Sequence, residues 1–416
     1  SKGYPAARLA SSEALIDPEH QQARLSLVVD SGPLFHFGDV QVQGLERYPR
    51  SAVENLEPMS RGEVYDQARL LAYQRALEAT GYFAQVSVSV DARPEVANSL
   101  PIQVQVKENK KQQVSIGLGA STDTGLRAQV GYRLRKLGGS ALRLSLDTKF
   151  NAREQQVTGQ LSRPRTARGY DDSLGLALKR SDVEGAVSRT LQVPATRSRQ
   201  RGPLTTTLTA QYESELLALA GSQEHNHAVS LNYGWVYRTV GEQFYPSRGW
   251  VTSLQGGGGF DPGQPNDYFV RLYARHSQFI PLGRRARLIA RAEFGSVLTN
   301  RDWGVPSDFL FRAGGDNSVR GYAYQSLGPK VAGDVVPTQY LVTGSVEYNY
   351  FFTRDWGAAL FVDTGDAAEQ LSELRMHTGA GLGARYRSPI GPVNLDVAYG
   401  EQIHEWRLHF TLGVAF

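Results

Sequence analysis

The chain has 416 residues, enough for two domains or one large one, and a formal net charge of only +4 from 45 basic and 41 acidic side chains. This balance argues against a protein that binds nucleic acid or another polyphosphate through its overall charge. The absence of cysteine excludes disulfides and thiolate metal sites, and it is typical of proteins exposed to an oxidising compartment such as the periplasm.

The mean hydropathy is −0.37, and no stretch approaches the roughly 18 consecutive apolar residues of a membrane-spanning helix. A membrane-spanning β-barrel remains compatible with this value, because its strands alternate apolar and polar residues. No signal peptide begins the chain, which predicts a mature or trimmed product.

Residues 33–110 combine helical and strand patterns. In the longer predicted helix, Leu70, Tyr73 and Leu77 fall on one stripe, and Gly81 follows the last turn. The predicted elements are a strand at 37–44, helices at 50–57 and 66–80, and strands at 85–91 and 101–107. This β-α-α-β-β order predicts a small α+β domain in which two helices cover one sheet.

The N-terminal region contains an internal repeat. Gly81-Tyr82-Phe83-Ala84 precedes two predicted strands, and Gly3-Tyr4-Pro5-Ala6 precedes two more at 8–15 and 24–29. Arrays of one module show this kind of self-similarity. Residues 1–32 are therefore predicted to be the C-terminal part of a preceding copy.

From residue 111 to residue 416 the pattern changes to about sixteen segments with a period of two. In the last segment, 405–416, Trp406 and Leu408 lie on one face, and Arg407 and His409 lie on the other. Long strands with charged residues on one face are typical of a barrel with lipid outside and a wet lumen, whereas a soluble sandwich has shorter strands. The predicted fold is an all-β transmembrane barrel of about 16 antiparallel strands, preceded by the α+β module.

One long polar segment, about residues 297–336, interrupts the barrel pattern. It contains aromatic residues that pack, glycines that permit positive φ, and Arg320, whose planar donor fork suits a carboxylate. Strand parity places Glu347 and Asp363 on the inner face of two neighbouring strands. We therefore expect a structured loop that carries Arg320 to an acidic partner, although parity alone leaves both carboxylates as simple lumen-lining charges.

Four motifs carry a resemblance to a known family. They are Val319-Arg320-Gly321-Tyr322, Phe361-Val362-Asp363-Thr364-Gly365, Tyr245-Pro246-Ser247-Arg248-Gly249-Trp250 and Ser388-Pro389-Ile390-Gly391-Pro392. Together they resemble the BamA/TamA superfamily of outer-membrane insertases and transporters, and the N-terminal module resembles that family's POTRA domain. The resemblance implies a bacterial outer-membrane location with the POTRA domains in the periplasm. It also implies that Arg320 contacts Asp363 and Glu347 inside the barrel, so that the motif Val319 to Tyr322 locks a surface loop into the lumen.

The last hundred residues are most similar to the TamA branch, whose members carry three POTRA domains. The resemblance implies insertion or translocation of client β-barrel proteins such as autotransporters. The implied partners are the lipid bilayer, those clients, and an inner-membrane-anchored, periplasm-spanning protein of the TamB type at the POTRA side. No nucleic acid, cofactor or metal is expected.

Barrel closure requires the first strand, 113–120, to pair with the last. Gly117 and Gly119 in the first strand and Gly413 in the last make a weak seam plausible, because glycine weakens a strand. A client strand could bind such an exposed edge. The terminal run ending at Phe416 also resembles the strand that insertion machinery recognises.

The sequence is also compatible with two other functions. The first is a pore of the two-partner secretion type that exports an unfolded polypeptide, and the second is a passive porin, which does not need POTRA modules. An enzyme is not expected, because no motif supplies a positioned nucleophile. His225 and His227 could bind a metal, but we expect them to be solvated in a polar loop.

Overall fold

The computed structural model describes residues 2–91, 99–138, 141–241, 245–300, 304–389 and 391–412. They form two units. The first contains the chain up to Gln112 with two short segments, 135–142 and 164–169, and the second contains the rest.

The first unit contains a hairpin and a small α+β domain. The hairpin consists of β1 (Arg8–Asp17) and β2 (Gln22–Asp30), which pair antiparallel. The domain consists of β3 (His36–Gln43), α1 (Ser51–Glu54), α2 (Gln67–Ala79), β4 (Phe83–Val90) and β5 (Ser99–Glu108). Its sheet has the order β3-β5-β4, with β3 parallel and β4 antiparallel to β5.

Local chemistry explains the longer helix of this domain. The Asp66 carboxylate accepts a hydrogen bond from the Ala68 N–H at 2.9 Å and caps the first turn of α2. The stripe of Leu70, Tyr73 and Leu77 is buried against the sheet, in one core with Leu100. The predicted β-α-α-β-β order is confirmed, although the shorter helix has only four residues.

The second unit is a closed barrel of sixteen strands, each antiparallel to its neighbours in the chain. The first eight are β6 (Gln112–Ser121), β7 (Gly125–Leu134), β8 (Arg143–Phe150), β9 (Glu154–Ser162), β10 (Tyr170–Val183), β11 (Ala186–Arg201), β12 (Leu204–Leu219) and β13 (Ser222–Arg238). The next three are β14 (Gly249–Asp261), β15 (Gln264–Leu282) and β16 (Ala286–Thr299). After a small hairpin, β17 (Lys330–Val331) and β18 (Asp334–Val335), the last five are β19 (Tyr340–Phe351), β20 (Trp356–Ala368), β21 (His377–Ser388), β22 (Gly391–Gly400) and β23 (Glu405–Leu412). The predicted strand number is confirmed.

The two faces of the barrel wall have opposite character. On β20, Trp356 and Leu360 are exposed on the outer face, whereas Phe361 and Asp363 are almost fully buried on the inner face. On β6, Leu118 is 81% exposed on the outside. An apolar outside around a buried polar inside is the inverse of a soluble sandwich, and it is the pattern of a lipid-facing barrel. No helix among the described residues is long and apolar enough to cross a membrane.

The described residues between β16 and β19 fold into the lumen, and we call residues 304–339 the lumen loop. Phe309, Phe311, Val319 and Tyr322 of this loop pack with barrel residues in one buried apolar cluster. The loop starts later than the sequence pattern predicted, because β16 continues through Thr299.

The seam between β23 and β6 has few pairs in the described part of the chain. Thr411 pairs with Ser121 and Leu412 pairs with Ala120, whereas β22 and β23 share eight register pairs. The predicted seam residues Gly413 and Phe416 lie outside the described residues. Gly119 approaches the seam closely, since a Cβ at this position would lie 3.2 Å from the Leu412 carbonyl oxygen.

Candidate functional site

The centre of the site is a paired arginine from the lumen loop. The Arg320 Nε and Nη2 groups donate to the two Asp363 carboxylate oxygens at 2.7 and 2.9 Å, and the Arg320 backbone N–H donates to the same carboxylate at 3.1 Å. Both side chains are at least 96% buried. Two parallel bonds from one guanidinium fix its direction as well as its distance.

Arg320 also reaches two further carboxylates. Its Nη1 donates to Glu347 at 2.7 Å and to Asp396 on β22 at 3.1 Å. The guanidinium lies 3.4 Å from the centroid of the Phe361 ring, a cation–π contact. The structure therefore brings together Arg320, Glu347 and Asp363 as the sequence predicted, and it adds Asp396. The alternation of β22 places this aspartate on the inner face, a signal that the sequence analysis did not use.

Two more arginines, Arg385 and Arg291, complete the cluster. Arg385 on β21 contacts Glu347 at 3.1 Å and also donates to Asp396. Arg291 on β16 lies 3.6 Å from Glu347. Three guanidinium groups and three carboxylates thus meet in one buried cluster. Such a cluster is stabilising only when each charge is paired, because an isolated buried charge is strongly unfavourable.

Alternate glycines on β21 make room for this cluster. A Cβ at Gly379 would lie 1.7 Å from the Arg320 carbonyl oxygen, and one at Gly383 would lie 1.7 Å from an Asp396 carboxylate oxygen. A Cβ at Gly381, between them on the same face, would meet the Phe361 ring at 2.5 Å. The Gly-x-Gly-x-Gly pattern was visible in the sequence, but its purpose depends on what lies opposite.

The residues that follow Arg320 bind the loop to the end of the barrel wall. Gly321 has a φ of 96°, and a Cβ there would lie 2.9 Å from the Gly400 backbone nitrogen. The Tyr322 hydroxyl donates to the Thr378 carbonyl at 3.2 Å and accepts from the Gln402 N–H at 3.2 Å. Glycine is required at position 321 because both the conformation and the backbone contact exclude a side chain.

A network joins the loop to both strands of the seam. On β23, His409 accepts at Nε2 from the Gly321 N–H at 2.9 Å, so its neutral ring carries its proton on Nδ1. This Nδ1 donates to Asp316 at 2.6 Å, and the Asp316 backbone N–H donates to Asp123 at 2.6 Å. Asp123 lies in the turn that follows β6. The loop therefore contacts the last strand and the turn after the first strand at the same place.

The Asp123 carboxyl has an unusual environment. Burial, together with the nearby Asp316 carboxylate, raises the pKa of Asp123 to about 7. The proton that this carboxyl holds at acid pH reduces the repulsion between the two aspartates.

The opposite wall holds the loop at a second place. Asp308 accepts hydrogen bonds from Lys179 on β10 and, at 2.6 Å, from Gln192 on β11. The Ser307 backbone N–H donates to Glu215 on β12 at 2.9 Å. None of these residues was predicted from the sequence.

Comparison with known proteins identifies the family. The Omp85 superfamily domain profile matches residues 94–416, and a POTRA profile, described as a surface antigen variable number repeat, matches residues 35–109.

The chain belongs to the Omp85 superfamily.

Two curated relatives of this Omp85 chain are informative. It is 24% identical over 443 residues to the outer membrane protein assembly factor BamA of Nitratidesulfovibrio vulgaris, an alignment that covers 100% of this chain and 55% of BamA. It is 36% identical over 108 residues to the chloroplastic outer envelope protein 80 of Arabidopsis thaliana, covering 25% of this chain and 14% of that protein. The chain thus spans about half the length of the bacterial relative.

Solved structures of two kinds share the fold. BamA from Haemophilus ducreyi lacking POTRA domains 1–3 has a TM-score of 0.77 at 18% identity, covering 100% of this chain and 90% of that one. CdiB from Acinetobacter baumannii has a TM-score of 0.60 at 15% identity, covering 99% and 78%. These Omp85 relatives place the protein in the outer membrane with its POTRA domain in the periplasm. The end of the barrel at which β6 begins is therefore the periplasmic end.

One reading of the sequence is corrected by the fold of this Omp85 chain. His225 and His227 were predicted to lie in a polar loop, but both belong to β13. Both faces of β13 carry polar residues in this region, so the sequence shows no alternation of polar and apolar side chains there. His227 contacts the Tyr212 hydroxyl at 3.4 Å.

Proposed function

We propose that this protein is an outer-membrane assembly factor that inserts or translocates client β-barrel proteins by opening the seam between β6 and β23. The observation that supports this proposal is the seam itself. Two register pairs join the described residues of β23 and β6, and eight join β23 to its other neighbour. A strand edge with free N–H and C=O groups is a template for another strand.

The mechanism follows from ordinary strand pairing. When the seam opens, a client strand that pairs with the free edge satisfies backbone groups that would otherwise face lipid. The lumen loop is attached to both sides of the seam through Asp123, Asp316 and His409. Release of this network is therefore a step that we expect before the strands part.

The finer parts of the proposal rest on the motifs in the sequence. The TamA branch, autotransporters as clients, and a TamB-like partner at the POTRA side are inferred from the last hundred residues and from the POTRA module. The relatives described above carry the names BamA and CdiB.

A reversible lock on the seam tests the proposal. The variant Ala120→Cys/Leu412→Cys places two thiols on one register pair, in a chain that has no other cysteine. We expect oxidation to abolish assembly of an unfolded autotransporter barrel in proteoliposomes that contain the full chain, and reduction to restore it.

The matched control is Val397→Cys/Leu408→Cys, which joins β22 to β23 where they are already well paired. This crosslink should leave assembly unchanged. Full activity of the oxidised seam variant would rule out seam opening.

A pore for secretion of an unfolded polypeptide is the second candidate, and the fold likeness to CdiB supports it. The two functions differ in the path of the client. A secretion pore passes its client through the lumen, so the seam lock should leave export intact, whereas removal of the lumen loop should increase it.

A further inference from the structure

A pocket at the periplasmic end of the barrel is rich in arginine. It has a volume of about 420 Å³ and lies among the turns after β15 and β19 and the end of β21. Five arginines line it: Arg284, Arg285, Arg287, Arg354 and Arg387. We propose that this pocket binds a phosphate group, either of an anionic lipid headgroup or of a soluble phosphate compound.

The positive charge around this pocket favours an anion. In the described part of the chain, none of the five arginines forms a salt bridge with a carboxylate. Five like charges around one cavity repel each other unless an anion lies between them. The guanidinium fork matches the geometry of phosphate oxygens, and several forks favour a multiply charged anion over a single carboxylate.

Two arginines of β21 have different partners. Arg385 and Arg387 lie on the same face of this strand, two residues apart. Arg385 contacts Glu347 and Asp396, whereas the Arg387 guanidinium, within the described part of the chain, donates to the Arg354 carbonyl oxygen at 3.3 Å and to no carboxylate. On β16, Arg287 donates to the Pro246 carbonyl oxygen at 2.9 Å. The charge-balanced cluster therefore ends at Arg385, two residues before the pocket begins on β21.

Two arginines of the pocket are held in place by an aromatic ring. The Arg387 guanidinium lies 3.8 Å from the centroid of the Phe351 ring, and that of Arg287 lies 5.5 Å from the same centroid. The Nε atoms of both arginines are buried, and no described residue accepts a hydrogen bond from them. The Phe351 ring thus positions two guanidinium groups beside the cavity. Their Nε–H groups have no acceptor among the described residues and can donate to an anion that binds there.

The position of the pocket defines two possible sources of the phosphate. Phe352, at its edge, is 52% exposed, as lipid-facing residues of this barrel are. A headgroup of the periplasmic leaflet could reach the pocket from this side. A soluble phosphate compound could reach it from the periplasm.

Calorimetry on the full chain in an uncharged detergent tests the proposal with both sources. One arm titrates inorganic pyrophosphate, and the other titrates short-chain phosphatidylglycerol, with phosphatidylcholine as the reference. We expect saturable binding of one equivalent in at least one arm, weakened by salt. Binding in the lipid arm alone identifies a headgroup site, and binding of pyrophosphate identifies a site open to soluble phosphates.

Variants assign the binding to this pocket. Arg387→Gln should weaken binding by about tenfold or more, the equivalent of one charge-assisted hydrogen bond. Arg284 lies on an exposed turn, where a substitution should not affect folding. Arg284→Gln should also weaken binding. Arg201→Gln, an exposed arginine at the same end on β11, is the matched control and should change nothing.

Absence of saturable binding in both arms would overturn the proposal, as would equal weakening by Arg387→Gln and Arg201→Gln. Tighter binding of an acidic peptide, titrated in a third arm, than of either phosphate ligand would overturn it as well. No client protein is present in these titrations. Their failure would therefore leave the proposed assembly function standing, and a failed seam lock would leave the pocket standing.

Discussion

At the scale of single residues, Arg320 uses nearly all of its bonding capacity. Its guanidinium makes four hydrogen bonds to three carboxylates, and its flat face lies on Phe361. A lysine has the same charge but no planar fork, and it cannot reproduce this set of directions. The residue is therefore specified by geometry and not only by charge.

The substitution Arg320→Lys should detach the loop from β20. Loss of the paired bonds leaves buried carboxylates poorly compensated, and breaking such a pair costs about 3 kcal/mol or more. We expect a lower unfolding temperature on semi-native gels and a higher single-channel conductance in planar bilayers. Arg180→Lys, at a partly exposed pair with Asp182, is the control and should resemble the unsubstituted protein. Unchanged conductance of Arg320→Lys would contradict the proposed lock.

Asp123 gives the seam a pH dependence with a defined sign. Its pKa is about 7 in the folded protein against an ordinary value of 3.8, so the folded state favours the protonated carboxyl. The stabilisation is complete below about pH 4 and is lost as the pH rises to about 7 and beyond. The neighbouring Asp316 carboxylate favours the proton, whereas the hydrogen bond that Asp123 accepts from the Asp316 backbone N–H opposes it.

The substitution Asp123→Asn should remove most of this dependence. We expect the unfolding temperature of the unsubstituted barrel to fall between pH 5 and pH 8, and that of the variant to fall less, because asparagine does not ionise. Asp39→Asn, an exposed residue of the first unit, should keep the original slope. Parallel curves for Asp123→Asn and the unsubstituted protein would show that another group controls the seam.

At the scale of elements, the groups that face β21 in the lumen determine which residues this strand can carry. Its inner face presents glycine three times in succession, and the loop backbone, an aromatic ring and a carboxylate occupy the space where side chains would project. Its outer face carries Leu382 and is exposed, as the rest of the lipid-facing surface is. One strand thus contributes to two different environments through its alternation.

The substitution Gly379→Ala tests this shape. Its Cβ would lie 1.7 Å from a backbone oxygen of the loop, which cannot move aside as a flexible side chain does. We expect the loop to shift and the conductance to rise, as with Arg320→Lys. Gly344→Ala on β19, where the nearest atom is 3.8 Å away, should be tolerated. If both variants behave alike, the close approach of loop and strand is not important.

At the scale of the whole molecule, the lumen loop is attached to two walls of one cylinder. Arg320 binds β20 and its neighbours, and Asp308 binds β10 and β11 across the lumen. Release of one attachment leaves the other in place. We propose that the loop obstructs the lumen while these attachments hold.

The combination Arg320→Lys/Asp308→Asn tests the two attachments. We expect each single variant to raise the conductance modestly, and the double variant to raise it by more than the sum, because only then are both of these attachments lost. Asp171→Asn at the periplasmic end of β10 is a control for the loss of one carboxylate on this wall. A strictly additive double variant would show that the attachments act independently.

Much of this architecture follows from local pattern. The period of two placed Glu347 and Asp363 on the inner face and Trp356 and Leu360 on the outer face, because alternation depends only on neighbouring residues in the chain. The same rule fails where a strand is polar on both faces, as at His225 and His227. The identity of Arg320 as the residue that pairs came from parity combined with the resemblance of its motif to a family.

The tertiary structure decided which inward residues meet. Asp396 and Asp123 contact the loop, and Arg385 contacts Glu347 and Asp396. These contacts depend on how far each strand is staggered against the next around a closed cylinder. The alternation of a strand gives the face on which a residue lies, but it does not give the position of that residue along the barrel axis. The sequence alone therefore determined the wall and its two surfaces, whereas barrel closure determined the charge cluster, the seam network and the arginine-lined pocket.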